Sequence, residues 1–114
     1  MKWAKAIFLG LLLPVLPVAA GSSNPGQDAL VEMGRLNGVA LACRYYEQTR
    51  RIKQALIDNL PKRRELGQLF DDRTNESFMA FVNSGEPCPS PAEFEASVER
   101  AIRWIEQAFE GQSL

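Results

Sequence analysis

Between residues 28 and 111 apolar side chains return every three or four positions, the period of one face of an α-helix. The first run is Leu30, Met33, Leu36, Ala40 and Cys43, and the pattern carries on through Tyr45, Tyr46, Ile52, Leu56 and Leu60 until Pro61 stops it. Gly34 and Gly38 weaken its first half, since each costs about 1 kcal/mol against alanine in a helix interior. Two arrangements are open here: one helix with a soft spot, or a short helix near 27–35 followed by a longer one. Residues without a side chain at these positions also let another helix come close.

Pro61 suits the first position of the next helix, where its missing amide would lack a partner anyway. Leu66, Phe70, Phe78, Phe81 and Val82 mark the apolar face of that helix as far as Ser84-Gly85, and the polar stretch from Asp71 to Ser77 predicts a kink in its middle turns. Gly85 to Pro89 reads as a loop. Ser90-Pro91-Ala92-Glu93 is a capping box with proline at the first helical position. The helix it opens carries Phe94, Val98, Ala101, Ile102, Ile105 and Phe109 on one face and stops at Gly111. Glu47 with Arg51, and Glu99 with Arg103, stand four apart as supporting ion pairs. No β pattern of usable length occurs. The predicted fold is all-α, a small up-down bundle of three to four helices with short connections.

The first 20 residues do not share this periodicity. Lys2 and Lys5 flank Trp3, Ala6 to Leu16 is an unbroken apolar or small run, and Val18-Ala19-Ala20 supplies the small residues that a signal peptidase reads. An apolar run of about 11 residues reaches only about 16 Å as a helix, half of a hydrocarbon core. Residues 1–20 are therefore read as a secretory signal peptide, 21–27, which begins with the turn-rich GSSNPG, as a flexible leader, 28–111 as the helical domain and 112–114 as a short tail. No stable membrane insertion is expected after cleavage, and the compartment expected is the periplasm or the extracellular space.

Without Lys2 and Lys5, 11 basic residues face 14 acidic ones, a net charge of about −3 that gives no reason to expect nucleic acid. A domain of about 94 residues has a modest core. Its two cysteines, Cys43 and Cys88, lie in a compartment expected to be oxidising, so a disulfide is predicted that ties the middle of one helix to the loop launching the last. Closing about 46 residues is worth about 4 kcal/mol in the chain-entropy model.

The chain contains no histidine. That removes the usual general base, the Ser-His and Cys-His nucleophile pairs, and histidine-ligated metals and haem. No glycine-rich phosphate loop follows a strand, and no cofactor or metal is expected. The candidate catalytic pair is Asp72 and Glu76, one turn apart, beside Asp71. Two carboxylates at about 6 Å are compatible with glycoside hydrolysis, although acids on one turn are ordinarily a solvated face. Asn75-Glu76-Ser77 fits the glycosylation sequon.

Binding candidates are clearer in kind. Arg50, Arg51 and Lys53 fall late in one predicted helix, and Lys62, Arg63 and Arg64 follow Pro61 in the first turn of the next, where cations oppose the helix dipole. If the two groups meet they form a positive corner for an acidic partner. Trp104 lies beside the stripe of the last helix, with the small residues Ser97, Ala101 and Ala108, as a second face for protein contact.

In layout, with Cys43 and Cys88 bridging a long central segment and a helix after Ser90, the chain resembles the small periplasmic acid-stress chaperones of the HdeA kind. It departs from them in ending Glu-Gly-Gln-Ser-Leu where they carry a lysine-rich tail. Exported helical immunity proteins share the same outline. The expectation is an exported non-enzymatic protein that binds another protein as chaperone, inhibitor or accessory subunit. The alternatives are a carboxylate-based hydrolase of envelope glycans and a carrier of small ligands between the helices. Intact mass of the exported protein under alkylating conditions should give a chain starting close to Gly21 with neither cysteine modified. A full-length membrane-embedded product, or two alkylated cysteines, would refute this reading.

Overall fold

A computed structural model describes residues 24–112; residues 1–20, expected from the sequence to be a signal peptide, residues 21–23 of the expected leader and residues 113–114 of the expected tail lie outside the described residues. Four helices are present, α1 (Pro25–Ala42), α2 (Tyr46–Asn59), α3 (Arg64–Ser84) and α4 (Pro91–Ala108), with no strand among the described residues. The fold is the all-α bundle that the periodicity predicts.

The first helix starts earlier than the pattern of apolar residues implies. Asn24 caps it, its Oδ1 accepting from the amides of Gly26 at 2.9 Å and Gln27 at 3.4 Å, with Pro25 at the first helical position. Residues 24–27 are thus the cap and first turn of α1, not flexible leader. Asn-Pro-Gly serves a turn and a helix start alike, and what decides is a partner: Gly26 lies so close to the Phe109 ring that a Cβ there would be 2.8 Å from it.

Gly34 and Gly38 do not interrupt α1. They sit where α3 crosses it: a Cβ on Gly34 would fall 2.6 Å from the Arg73 Cβ, and one on Gly38 2.7 Å from both the Phe78 amide nitrogen and the Thr74 carbonyl oxygen. Two hydrogen bonds lock the crossing, Asn37 Nδ2 to Thr74 Oγ1 at 3.2 Å in the interior and Ser77 Oγ to the Arg35 carbonyl at 2.7 Å. The packing gained where the backbones meet offsets the helix propensity lost.

The break comes instead at Cys43-Arg44-Tyr45. Arg44 adopts a left-handed conformation (φ 61°), and the amides of Tyr45 and Arg44 turn back to the carbonyls of Ala40 and Leu41 at 2.8 and 3.2 Å, a Schellman closure without its customary glycine. Tyr45 and Tyr46 therefore do not continue the first helix, and Cys43 caps the end of α1 rather than standing mid-helix. Its sulfur is joined to Cys88, with Cα atoms 5.9 Å apart. Tyr45 reinforces the same clasp: its hydroxyl donates to the Pro89 carbonyl at 2.6 Å and its ring lies 5.4 Å from that of Phe94.

Pro61 does not open α3. Leu60 is extended, as a residue before proline prefers, and the Arg63 amide donates to the Pro61 carbonyl in a tight three-residue turn, so α3 begins at Arg64. Nor does α3 break at the polar stretch; it is helical throughout, because Thr74 in that stretch is buried against α1. It ends at Gly85, which is left-handed. In α4 the Ser90 cap is found as predicted, Ser90 Oγ accepting from the Glu93 amide at 3.2 Å. That helix ends at Ala108, and Gly111 turns the chain three residues later.

Gly34 meets Phe70 and Gly38 meets Phe78, so α3 runs parallel to α1; Gly26 meets Phe109 and Tyr45 meets Phe94, so α4 runs against it. Tyr45–Phe94 and Arg51–Glu99 set α2 alongside α4, an up-down-up-down order. The packing is uneven. α1 touches all three other helices and α2 touches α4, but the backbone of α3 comes close to α1 alone. Leu30, Met33, Ile52, Val98 and Ile105 are fully enclosed in the core shared by α1, α2 and α4. On α3 Leu66, Phe70 and Thr74 are buried and Phe78 and Phe81 half-buried, with Phe81 against the core, while Val82, the last residue of the predicted apolar face, remains 54% exposed and the neighbouring Met79 55%.

Gly38→Ala should lower stability by about 1–3 kcal/mol through overpacking against backbone that cannot yield. Gly67→Ala, where a Cβ meets nothing within 4 Å, should raise it by up to about 1 kcal/mol. Arg44→Gly should also raise it, by about 0.5–1 kcal/mol, by relieving the left-handed arginine. Chemical denaturation of the three variants checks the set, and a Gly38→Ala protein as stable as the wild type would contradict the crossing. Reducing the disulfide should cost up to about 4 kcal/mol from its long loop, read as a fall in denaturation midpoint.

Candidate functional site

Because α3 leans on α1 only, it leaves a gap on each side. One opens toward α2, the other toward α4.

The gap toward α2 is a notch of ≈ 350 Å³ at the connection between the two helices, lined by Leu56, Ile57, Leu60, Leu66 and Phe70, with Lys62 and Arg63 on its rim. Ile57 is 74% exposed, the most exposed large apolar side chain among the described residues. It follows Leu56, which is buried; two adjacent helix positions lie about 100° apart, so both cannot face the core. Lys53 stands one turn before Ile57 on the same face of α2, and Arg64 one turn before Gly67 of the notch wall. Asp71 closes the lining on the α3 side.

The six cations proposed as one corner do not all meet there. Since α2 starts at Tyr46, Arg50 and Arg51 belong to its second turn and Lys53 to its middle, not to a late segment. Arg50 pairs with Glu47 at 2.9 Å, and Arg51 reaches across to Glu99 of α4 and to Gln48, so the expected Glu47–Arg51 pair is replaced. Glu99 also holds Arg103 at 3.7 Å, as the spacing predicts. Lys62 and Arg63 lie in the linker, and only Arg64 is in the first turn of α3. Among the described residues Lys53, Lys62, Arg63 and Arg64 have no carboxylate within ion-pair distance, whereas Arg35, Arg50, Arg51, Arg73 and Arg103 each do.

The gap toward α4 is a larger groove of ≈ 850 Å³. Its floor is Leu36 and Val39 of α1 with Phe81 and Phe94; its walls are mostly small, Ser77, Ala80 and Ser84 on α3 and Ala96 and Ser97 on α4. Arg35 stands at one end, gripped by both oxygens of Glu32 at 2.9 and 2.6 Å, a hydrogen bond that raises its pKa further above the ordinary arginine value against the opposing effect of burial.

Asp72 and Glu76 line neither gap. Both are exposed on the outer side of α3, and Glu76 pairs with Arg73 at 2.7 Å. Asn75 of the sequon is exposed beside them, while Ser77 is engaged with α1. The adjacent tyrosines divide as their positions require, Tyr45 inward and Tyr46 outward. Trp104 is 40% exposed, and of its companions Ala101 is buried while Ser97 turns into the groove. No group of acids and cysteines placed to hold a metal occurs among the described residues. Sequence reading missed Ile57 and treated Phe81 and Phe94 as plain core. Only the adjacent Leu56-Ile57 pair signalled an exposed apolar residue in advance.

No protein-family model matches the chain, and neither a curated protein nor a solved structure matches it.

Proposed function

We propose that this chain is a non-enzymatic protein of the periplasm or extracellular space that binds an acidic surface on another protein through the α2–α3 corner, acting as a chaperone, inhibitor or accessory subunit. The observation that carries this reading is the combination at Ile57: a 74% exposed aliphatic side chain beside an apolar notch lined also by Lys62 and Arg63, with Lys53 one turn before it on α2 and Arg64 next to Arg63 in the chain, none of the four having an ion-pair partner among the described residues. A buried apolar anchor surrounded by polar contacts is how protein interfaces concentrate their energy, and unpaired cations steer an acidic partner toward it. The disulfide, and the lack of any helix among the described residues long and apolar enough to cross a membrane, are consistent with an exported protein. The hydrolase reading is less well supported, since Asp72 and Glu76 stand on an open helix face where nothing would enclose a sugar ring or exclude water.

The test begins with a pull-down of the native partner from the envelope fraction by the oxidised protein. Arg63→Gln with Arg64→Gln should weaken binding about tenfold, about 1.4 kcal/mol, with most of the loss in the association rate. Ile57→Asp should cost at least about 2 kcal/mol, mainly through faster dissociation. Thermal stability should stay level in both. A double arginine variant that binds normally at low salt would end this proposal and leave the Trp104 face as the next surface to probe.

A further inference from the structure

The α3–α4 groove is independent of that corner and carries its own signature. Three charged side chains in its lining, Glu86, Glu93 and Arg100, have no ion-pair partner among the described residues; Arg100 is held only by the Ser97 hydroxyl, at 3.1 Å. They are not mixed at random. α3 runs with α1 and α4 against it, so Arg100 gathers with Arg35 and Ser77 at one end, while Glu86 and Glu93 lie with Ser84 and Pro89 at the disulfide end. Glu93 and Arg100 are seven residues apart on α4, about 10.5 Å at the rise of an α-helix. Between the acidic and basic ends runs the apolar floor of Leu36, Val39, Phe81 and Phe94.

We propose that this groove docks an amphipathic helix of a partner protein, one that presents an acid and a base about two turns apart with an apolar pair between them. A helix is the occupant because the groove is open along its outer side. It cannot enclose most of a small ligand's surface, but a helix needs only one face covered. Small residues on both walls let that helix settle near the 8–10 Å axial spacing of packed helices. The charge pattern then selects the sequence. On the incoming helix, a base must meet Glu86 and Glu93 while an acid meets Arg100, and positions i and i+7 span the same distance as the groove's own charges. Apolar side chains at i+3 and i+4 fall on the floor between them. Either chain direction satisfies this, so order along the peptide is free, but two acids or two bases place like charges together at one end.

Three fluorescently labelled, alanine-based helical peptides of about 18 residues provide the probe. Each carries two leucines at i+3 and i+4, flanked at i and i+7 by Glu and Lys, by Glu and Glu, or by Lys and Lys. Anisotropy titration of the oxidised protein should show the Glu/Lys peptide binding at least tenfold tighter than either of the others at low salt. Arg100→Glu should move the preference to the Lys/Lys peptide. Ala96→Trp, from an exposed position on one wall, should abolish binding by filling the groove; Ala80→Trp, from the opposite wall, should do the same and guards against a folding defect in the first. The Arg63→Gln, Arg64→Gln variant should bind the peptide as the wild type does, which separates this site from the corner. The proposal is overturned by equal affinity for the three peptides, by no saturable binding up to about 1 mM, or by binding that survives both tryptophan variants.

Discussion

The close crossing of α1 and α3 at Gly34 and Gly38 is the constraint on which the remaining architecture depends. At that point the two backbones meet with no side chain between them, and Asn37–Thr74 and Ser77–Arg35 fasten them in register. A helix held this tightly to one neighbour, and to no other, cannot lie in the middle of a bundle. α3 is therefore a flank, and the gaps on its two sides are consequences of the crossing rather than separate features.

A second fastening closes the other end. The Cys43–Cys88 bond and the Tyr45 hydroxyl on the Pro89 carbonyl both tie the end of α1 to the loop after α3, just before the Ser90 cap launches α4. Both operate where the chain reverses, so they set where α4 begins relative to α3 and hence how wide the α3–α4 groove stands. The α2–α3 gap has no such clasp; its shape follows from the tight turn at Pro61–Arg63.

One ion pair spans two helices, Arg51 of α2 with Glu99 of α4, and the other four lie within a helix, Arg35–Glu32 at the groove among them. The charged groups left without an ion pair at the two gaps differ in pattern: Lys62 and Arg63 beside an exposed isoleucine on one side, Glu86 and Glu93 at one end and Arg100 at the other of an apolar floor on the other side. The two proposed surfaces consequently suit different partner chemistry, and one molecule has room for both.

The sequence by itself determined the helical class, the apolar stripe of α4 with its Ser90 cap, and the pairing of two lone cysteines. These depend on local periodicity, on local side-chain-to-backbone bonds, or on there being only one possible pair. It did not determine where the first long helix breaks, since Arg44 takes a conformation that usually marks glycine, closed by backbone hydrogen bonds to Ala40 and Leu41 and flanked by the Cys43 and Tyr45 clasp to a distant loop. It offered both a weakened helix and a close helix approach at Gly34 and Gly38 without deciding between them, because the helix that approaches them lies some 35 to 40 residues away. The candidate surfaces were legible only in part. Lys62, Arg63 and Arg64 adjoin in the chain and so could be read together, but whether Arg50 and Arg51 joined them depended on which glutamates tertiary packing brought within reach. The α3–α4 groove was not legible at all: Phe81 and Phe94 have the spacing of core residues, and whether an apolar face is covered depends on which helices pack against each other, a decision made by the whole fold and not by any segment of it.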